Sequence, residues 1–108
     1  MTIAFAIVLA LHGLIHLIGA VKAFGVADLP QLTQPISPLF GVVWLAAAVL
    51  CLAAAASLFL WPRGWWMVGA GALLLSGIAI VSSWPDARFG LIPNGMLFVG
   101  VVFGSLRT

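Results

Sequence analysis

The placement of its charges constrains this chain more than anything else. Four runs, over residues 2–24, 38–61, 65–83 and 89–106, are apolar almost throughout, and the six charged side chains fall at their ends, in the breaks between them or near the chain end. Each run is close to the roughly 20 residues that an α-helix needs to cross a hydrocarbon core. Inside that core an unpaired backbone N–H or C=O costs several kcal/mol, so a spanning segment has to be a helix or a strand of a closed barrel. Barrel strands read as short alternating segments, and no such pattern is present. A soluble domain needs about a quarter of its residues charged, whereas here 6% of 108 residues are charged and 65% are hydrophobic. The expected fold is therefore an all-α membrane protein, a single four-transmembrane-helix bundle over residues 1–108 with both termini on the same side. The first run lacks a basic leader and exceeds the usual signal-peptide core, so it reads as a retained helix.

The breaks carry their own signals. "VKAFGVADLPQLTQPISP" separates the first two runs and ends in Ser37-Pro38, an N-cap followed by a first-turn proline. Asp28 and Gln31 in the same break have capping-box spacing, which predicts a short interfacial helix. "WPRGWW" is short enough to force its flanking helices into antiparallel contact, and its tryptophans suit the headgroup level. "SWPDARFG" leads into the fourth run, where Pro93, Asn94 and Gly95 form a turn-like group. A helical or broken stretch from Asp86 with a kink at Pro93 is the expectation there.

Lys and Arg divide evenly between the two sides, with Arg63 and Arg107 on the side of the termini and Lys22 and Arg88 opposite. The positive-inside rule is thus balanced, and N-in, C-in serves as the working orientation. Four scattered basic residues form no phosphate-binding patch, which excludes nucleic acid as a partner. Cys51 is the sole cysteine, so no intrachain disulfide forms, and its alanine-rich surroundings suggest a small buried hydrophobe.

Lipid offers helices no hydrophobic reason to associate, so small residues must allow close packing. Ala46–Ala48, Ala53–Ala56, Gly69, Gly71 and Gly77 supply them, and Gly100 and Gly104 have GxxxG spacing. That spacing serves contact within the bundle or between two copies; contact within the bundle is preferred, because four short helices need it first.

The stretch "LALHGLIHLIGA" sets His12 and His16 one turn apart on one helical face. Counting from the membrane boundary at about 1.5 Å per residue puts His16 roughly 12 Å deep and His12 roughly 18 Å deep. Ionisable groups at such depth normally face the bundle interior and have partners. The same count brings Trp44, Ser76 and Asn94 near the level of His16, and Cys51 near that of His12. Several readings stay open. In one, neutral histidines hydrogen-bond across helices and fix their register. In another, the HxxxH pair holds a metal, with Cys51 as the best third ligand by depth and no adjacent glutamate of the zinc-peptidase kind. A bis-histidine haem needs a second copy, because residues i and i+4 cannot bracket one haem. A pocket for a quinone or another small molecule is the last.

A second group, Lys22, Asp28, Gln31, Gln34, Asp86 and Arg88, belongs to the membrane face of the first and third breaks. Ion pairs Lys22–Asp86 or Asp28–Arg88 would clasp the two hairpins there, and solvated interfacial charges are the plainer alternative. Any pocket is expected on this side.

"HGLIHLIGAVKAFG", "LPQLTQPIS" and "SWPDARFG", in this order, resemble the N-terminal membrane region of an uncharacterised bacterial protein family. Its larger members carry a soluble domain of unknown function after a similar four-helix region. Here the sequence ends after the fourth run, and "LIPNG" follows "DARFG" where a proline-free helix start is the pattern. The resemblance implies a four-helix module of a bacterial cytoplasmic membrane, standing alone or attached to something else. It brings no catalytic residue and no cofactor, and it draws attention to His12, His16, Lys22, Gln31, Gln34, Asp86 and Arg88. The leading expectation is a non-enzymatic membrane module with the bilayer, a second copy or another membrane protein as partner. A redox protein binding metal, haem or quinone through His12 and His16 is the second, and a subunit of a small-molecule transporter is the third.

Overall fold

The computed structural model describes residues 2–25 and 36–107, and every regular element among them is helical. In chain order these are α1 (Thr2–Ala23), α2 (Pro38–Leu60), α3 (Trp65–Ser82), the short α4 (Trp84–Ala87), a 3-10 turn (Arg88–Gly90) and α5 (Leu91–Leu106). Four segments are long and apolar enough to cross a membrane: α1, α2, α3 and Arg88–Leu106, with mean hydropathies of 2.2, 2.5, 1.8 and 1.7. They form one antiparallel bundle of 42 × 22 × 22 Å, and its long axis matches the roughly 40–45 Å of a bilayer with its headgroups.

Local chemistry sets the helix ends. Ser37 Oγ accepts the Phe40 N–H at 3.3 Å, and Pro38 occupies the first turn of α2. There its missing N–H leaves no bond unmade. Past α1, Gly25 takes φ = +70° and donates its N–H to the Lys22 carbonyl. Glycine adopts this left-handed stop without the Cβ clash other residues meet.

Helix faces are chosen by size rather than by polarity. The buried stripe of α2 is Gly41, Trp44, Ala47, Ala48, Cys51 and Ala54, at steps of three and four. It meets α1 in antiparallel register: Cβ atoms built at Gly13, Gly19 and Gly41 would run into Cys51, Trp44 and Ala23 respectively. In α3 the buried set includes Gly69, Ala72, Ser76 and Ala79. Small residues bring the backbones close, and dispersion forces then supply the attraction that lipid cannot. Large apolar side chains point outward, Val49, Leu74, Val81 and Phe98 among them, each more than half exposed. Such a surface suits hydrocarbon, and in water it would aggregate.

The helices follow one another around the bundle, α1 on α2, α2 on α3 and α3 on α5, while α5 meets α1 only sparingly. Where they do meet, Phe5 lies against Gly100 and its ring stands edge-on to Trp65, with centroids 5.6 Å apart. Gly104 faces Trp65 and Trp66 of α3. Both glycines of the GxxxG pair thus have neighbours inside the bundle.

The fourth spanning segment departs from the expected kink at Pro93. Helical structure begins earlier, at Trp84, and the irregularity is the 3-10 turn Arg88–Gly90. Pro93 is the third residue of α5. The first four N–H groups of a helix have no partner within it, so a proline there breaks nothing. The short helix expected around Asp28 and Gln31 lies outside the described residues.

Candidate functional site

The polar side chains of the interior converge at mid-depth. His12 and His16 come from α1, Ser76 from α3 and Asn94 from the first turn of α5, and none is more than 5% exposed. Their depths coincide because the helices run antiparallel. Their inward aim follows from the small-residue faces: Ser76 sits between Ala72 and Ala79 on the buried stripe of α3, and Gly13 beside His12 lets α2 approach until Cys51 is in contact.

Ser76 Oγ is the hub. It lies 3.0 Å from His12 Nε2 and within hydrogen-bond distance of His16 Nε2, and it donates to Asn94 Oδ1 at 2.9 Å. Asn94 Oδ1 also lies 2.8 Å from His12 Nε2. Donor and acceptor counting then assigns the tautomers that match this amide orientation. A carbonyl oxygen only accepts, so His12 Nε2 must carry a proton and donate to Asn94. A serine hydroxyl has one proton, and Ser76 gives it to Asn94, so His16 Nε2 must donate to Ser76. With Asn94 Oδ1 placed toward the histidines, this count assigns both imidazoles as Nε2–H tautomers, and none of these bonds uses their Nδ1 atoms. His16 Nδ1 is buried without a hydrogen-bond partner among the described residues.

Trp44 joins this layer as a wall rather than as a donor. Its ring meets His16 edge-on at 5.0 Å, and its buried Nε1–H has no hydrogen-bond partner among the described residues. The two imidazoles also stand edge-on, 4.5 Å apart. Cys51, fully buried on α2, completes the group: its Sγ and one ring nitrogen each of His12 and His16 lie within 4.8 Å of one another. Leu9 and Leu97, each 1% exposed or less, share a core cluster with Cys51.

Sequence reading missed Gly90. In the 3-10 turn it packs on Ile80, and a Cβ there would stand 3.6 Å from His12 Cε1. The turn therefore closes over the His12 ring. The signal was the glycine after Phe89, at the point where the fourth segment reaches the depth of the histidines.

The group at the first and third breaks is described only in part. Lys22 occupies the last turn of α1, where a cation suits the helix dipole. The Arg88 guanidinium lies over the Phe89 ring at 5.2 Å. Asp28, Gln31 and Gln34, with any pairing of theirs, lie outside the described residues, and of Asp86 only the backbone position in α4 is described. Clefts are present along the bundle among the described residues. One of about 630 Å³ lies on the side of the termini, between Phe5, Trp65, Phe103, Arg63 and Arg107. It follows from the sparse contact between α1 and α5, which leaves their seam unfilled there.

Comparison of the chain with protein-family models, with curated proteins and with solved structures finds no match.

Proposed function

We propose that this chain is a multi-pass module of a bacterial cytoplasmic membrane that supports or recruits another membrane protein and has no enzymatic activity of its own. The observation that carries this reading is the closure of the central network. The Nε2–H groups of both histidines, the Ser76 hydroxyl and Asn94 Oδ1 are all spent on one another, across α1, α3 and α5. The Ser76 hydroxyl receives from His16 and donates to an amide, so no base activates it as a nucleophile. Such a centre pins three helices in register, and interhelical hydrogen bonds in membranes serve this purpose at about 0.6 kcal/mol each. A rigid bundle with apolar outer faces is then a platform for a second membrane protein. The resemblance to the membrane region of larger bacterial proteins points the same way.

Site-specific photo-crosslinking in living bacterial membranes tests it. A photoreactive residue is placed in turn at Ile7, Val49, Leu74, Val81 and Phe98, one or two per helix face, all more than half exposed. The expected outcome is a discrete protein adduct from one face and lipid adducts from the others. Lipid adducts alone at every position would end the recruitment reading.

A further inference from the structure

We propose that His12, His16 and Cys51 form a buried site for a soft monovalent metal ion, copper(I), at mid-membrane. The inference goes beyond the platform reading and does not depend on it.

Three observations carry it. First, one nitrogen of each imidazole and the Cys51 sulfur lie within 4.8 Å of one another. Donors on one ion with bonds of about 2.0–2.3 Å stand roughly 3.5–4 Å apart, so side-chain displacements of about 1 Å close the set. Second, the hydrogen-bond network on the rings is of the kind a metal-binding histidine uses. A ligating imidazole gives one nitrogen to the metal and its other N–H to an oxygen that fixes tautomer and orientation. Here Ser76 and Asn94 engage the Nε2 atoms, and none of these bonds uses Nδ1. Third, His16 Nδ1 is buried in a residue 1% exposed, with no hydrogen-bond partner among the described residues. Had the histidines served only to hold helices together, a bare buried acceptor would be a cost without a return.

Charge selects the ion. Binding breaks the Cys51 S–H bond, forms an S–Cu bond and releases one proton to solvent. Two neutral imidazoles and one thiolate then hold one Cu⁺, so a +1 ion replaces a +1 proton and the site stays neutral. Zinc(II) in the same exchange would leave one uncompensated positive charge inside hydrocarbon, where charges are expensive. Thiolate and imidazole together also suit copper(I) by softness. Copper enters and stays as Cu(I), so no electron moves.

The test uses the purified chain in detergent without oxygen, with Cu(I) supplied as its coloured bicinchoninate complex. The expected result is loss of one equivalent of colour to the folded protein, insensitivity to equimolar Zn(II), and an X-ray absorption spectrum with one sulfur and two nitrogens on copper. Cys51→Ser and His16→Gln should each lower the affinity by at least the roughly 10–100-fold that loss of an outer-shell partner costs, with helical circular dichroism unchanged. If His16→Gln fails to fold, Cys51→Ser still decides, because no hydrogen bond of the central network involves Cys51. Copper left on the chelator by folded wild-type protein overturns the site, and so does full affinity in Cys51→Ser. Displacement by equimolar Zn(II) overturns the choice of a monovalent ion.

Discussion

Replacing Ser76 by alanine removes one oxygen and leaves the shape of α3 almost unchanged. That oxygen contacts His12 Nε2, His16 Nε2 and Asn94 Oδ1. At about 0.6 kcal/mol per interhelical bond the loss comes to about 2 kcal/mol. The three partners fare unequally. His12 keeps Asn94 at 2.8 Å, so its donor stays satisfied. His16 has Ser76 as its Nε2 partner and is 1% exposed, so its N–H is left bare in the interior, which adds to the loss. Ser57→Ala is the matched control. Ser57 Oγ bonds back to the Ala53 carbonyl of its own helix at 2.7 Å, and alanine favours helix slightly, so a change within about 0.5 kcal/mol is expected. Equilibrium unfolding in mixed micelles, across increasing SDS mole fraction, reads both variants. Trp44, whose ring touches His16, contributes to the tryptophan signal together with the four other tryptophans. If Ser76→Ala and Ser57→Ala agree within about 0.5 kcal/mol, the network does not pin the bundle.

Two further outcomes follow from the glycines. Gly19→Ala drives a methyl into the Trp44 ring and should destabilise by about 1–3 kcal/mol. Gly77→Ala meets nothing within 4 Å and should stabilise by about 0.5–1 kcal/mol through helix propensity; the same SDS titration checks both. Gly100→Leu places its Cβ 2.8 Å from the Phe5 ring, whereas Gly95→Leu on the same helix has open space. Only the first should lower stability, by at least about 1 kcal/mol. A Gly100→Leu variant of normal stability that loses a crosslinked dimer would instead assign that face to a second copy.

The four spans were legible because lipid leaves a backbone so few choices, and antiparallel depth counting brought His16, Ser76, Asn94 and Trp44 to one level. Direction was harder to read. Every face of these helices is apolar, so hydrophobic periodicity does not mark the inward one; the stripe of Gly, Ala, Cys and Ser on α2 and α3 marks it by size. Depth counting placed Cys51 near His12, but its approach to both rings depends on Gly13, whose missing side chain sets the helix spacing. Trp44 is brought beside His16 by its fit over Gly19, with the two rings 5.0 Å apart, while its indole N–H has no hydrogen-bond partner among the described residues. Pro93 drew attention as a kink because a proline's effect depends on its distance from the helix start, which was uncertain by several residues.

The sparse meeting of α1 and α5 bears on how the protein is made. Contacts between α1 and α2 and between α2 and α3 join neighbours in sequence, so they form as the chain emerges. His12, His16, Ser76 and Cys51 are in place once three helices have inserted. Asn94 arrives with the last one, and its carbonyl oxygen accepts from His12 and Ser76, while Gly90 comes to rest over the His12 ring. Until that moment the polar centre is an open notch. The final helix is therefore the closing step of the bundle, covering the polar centre that the first three helices leave open.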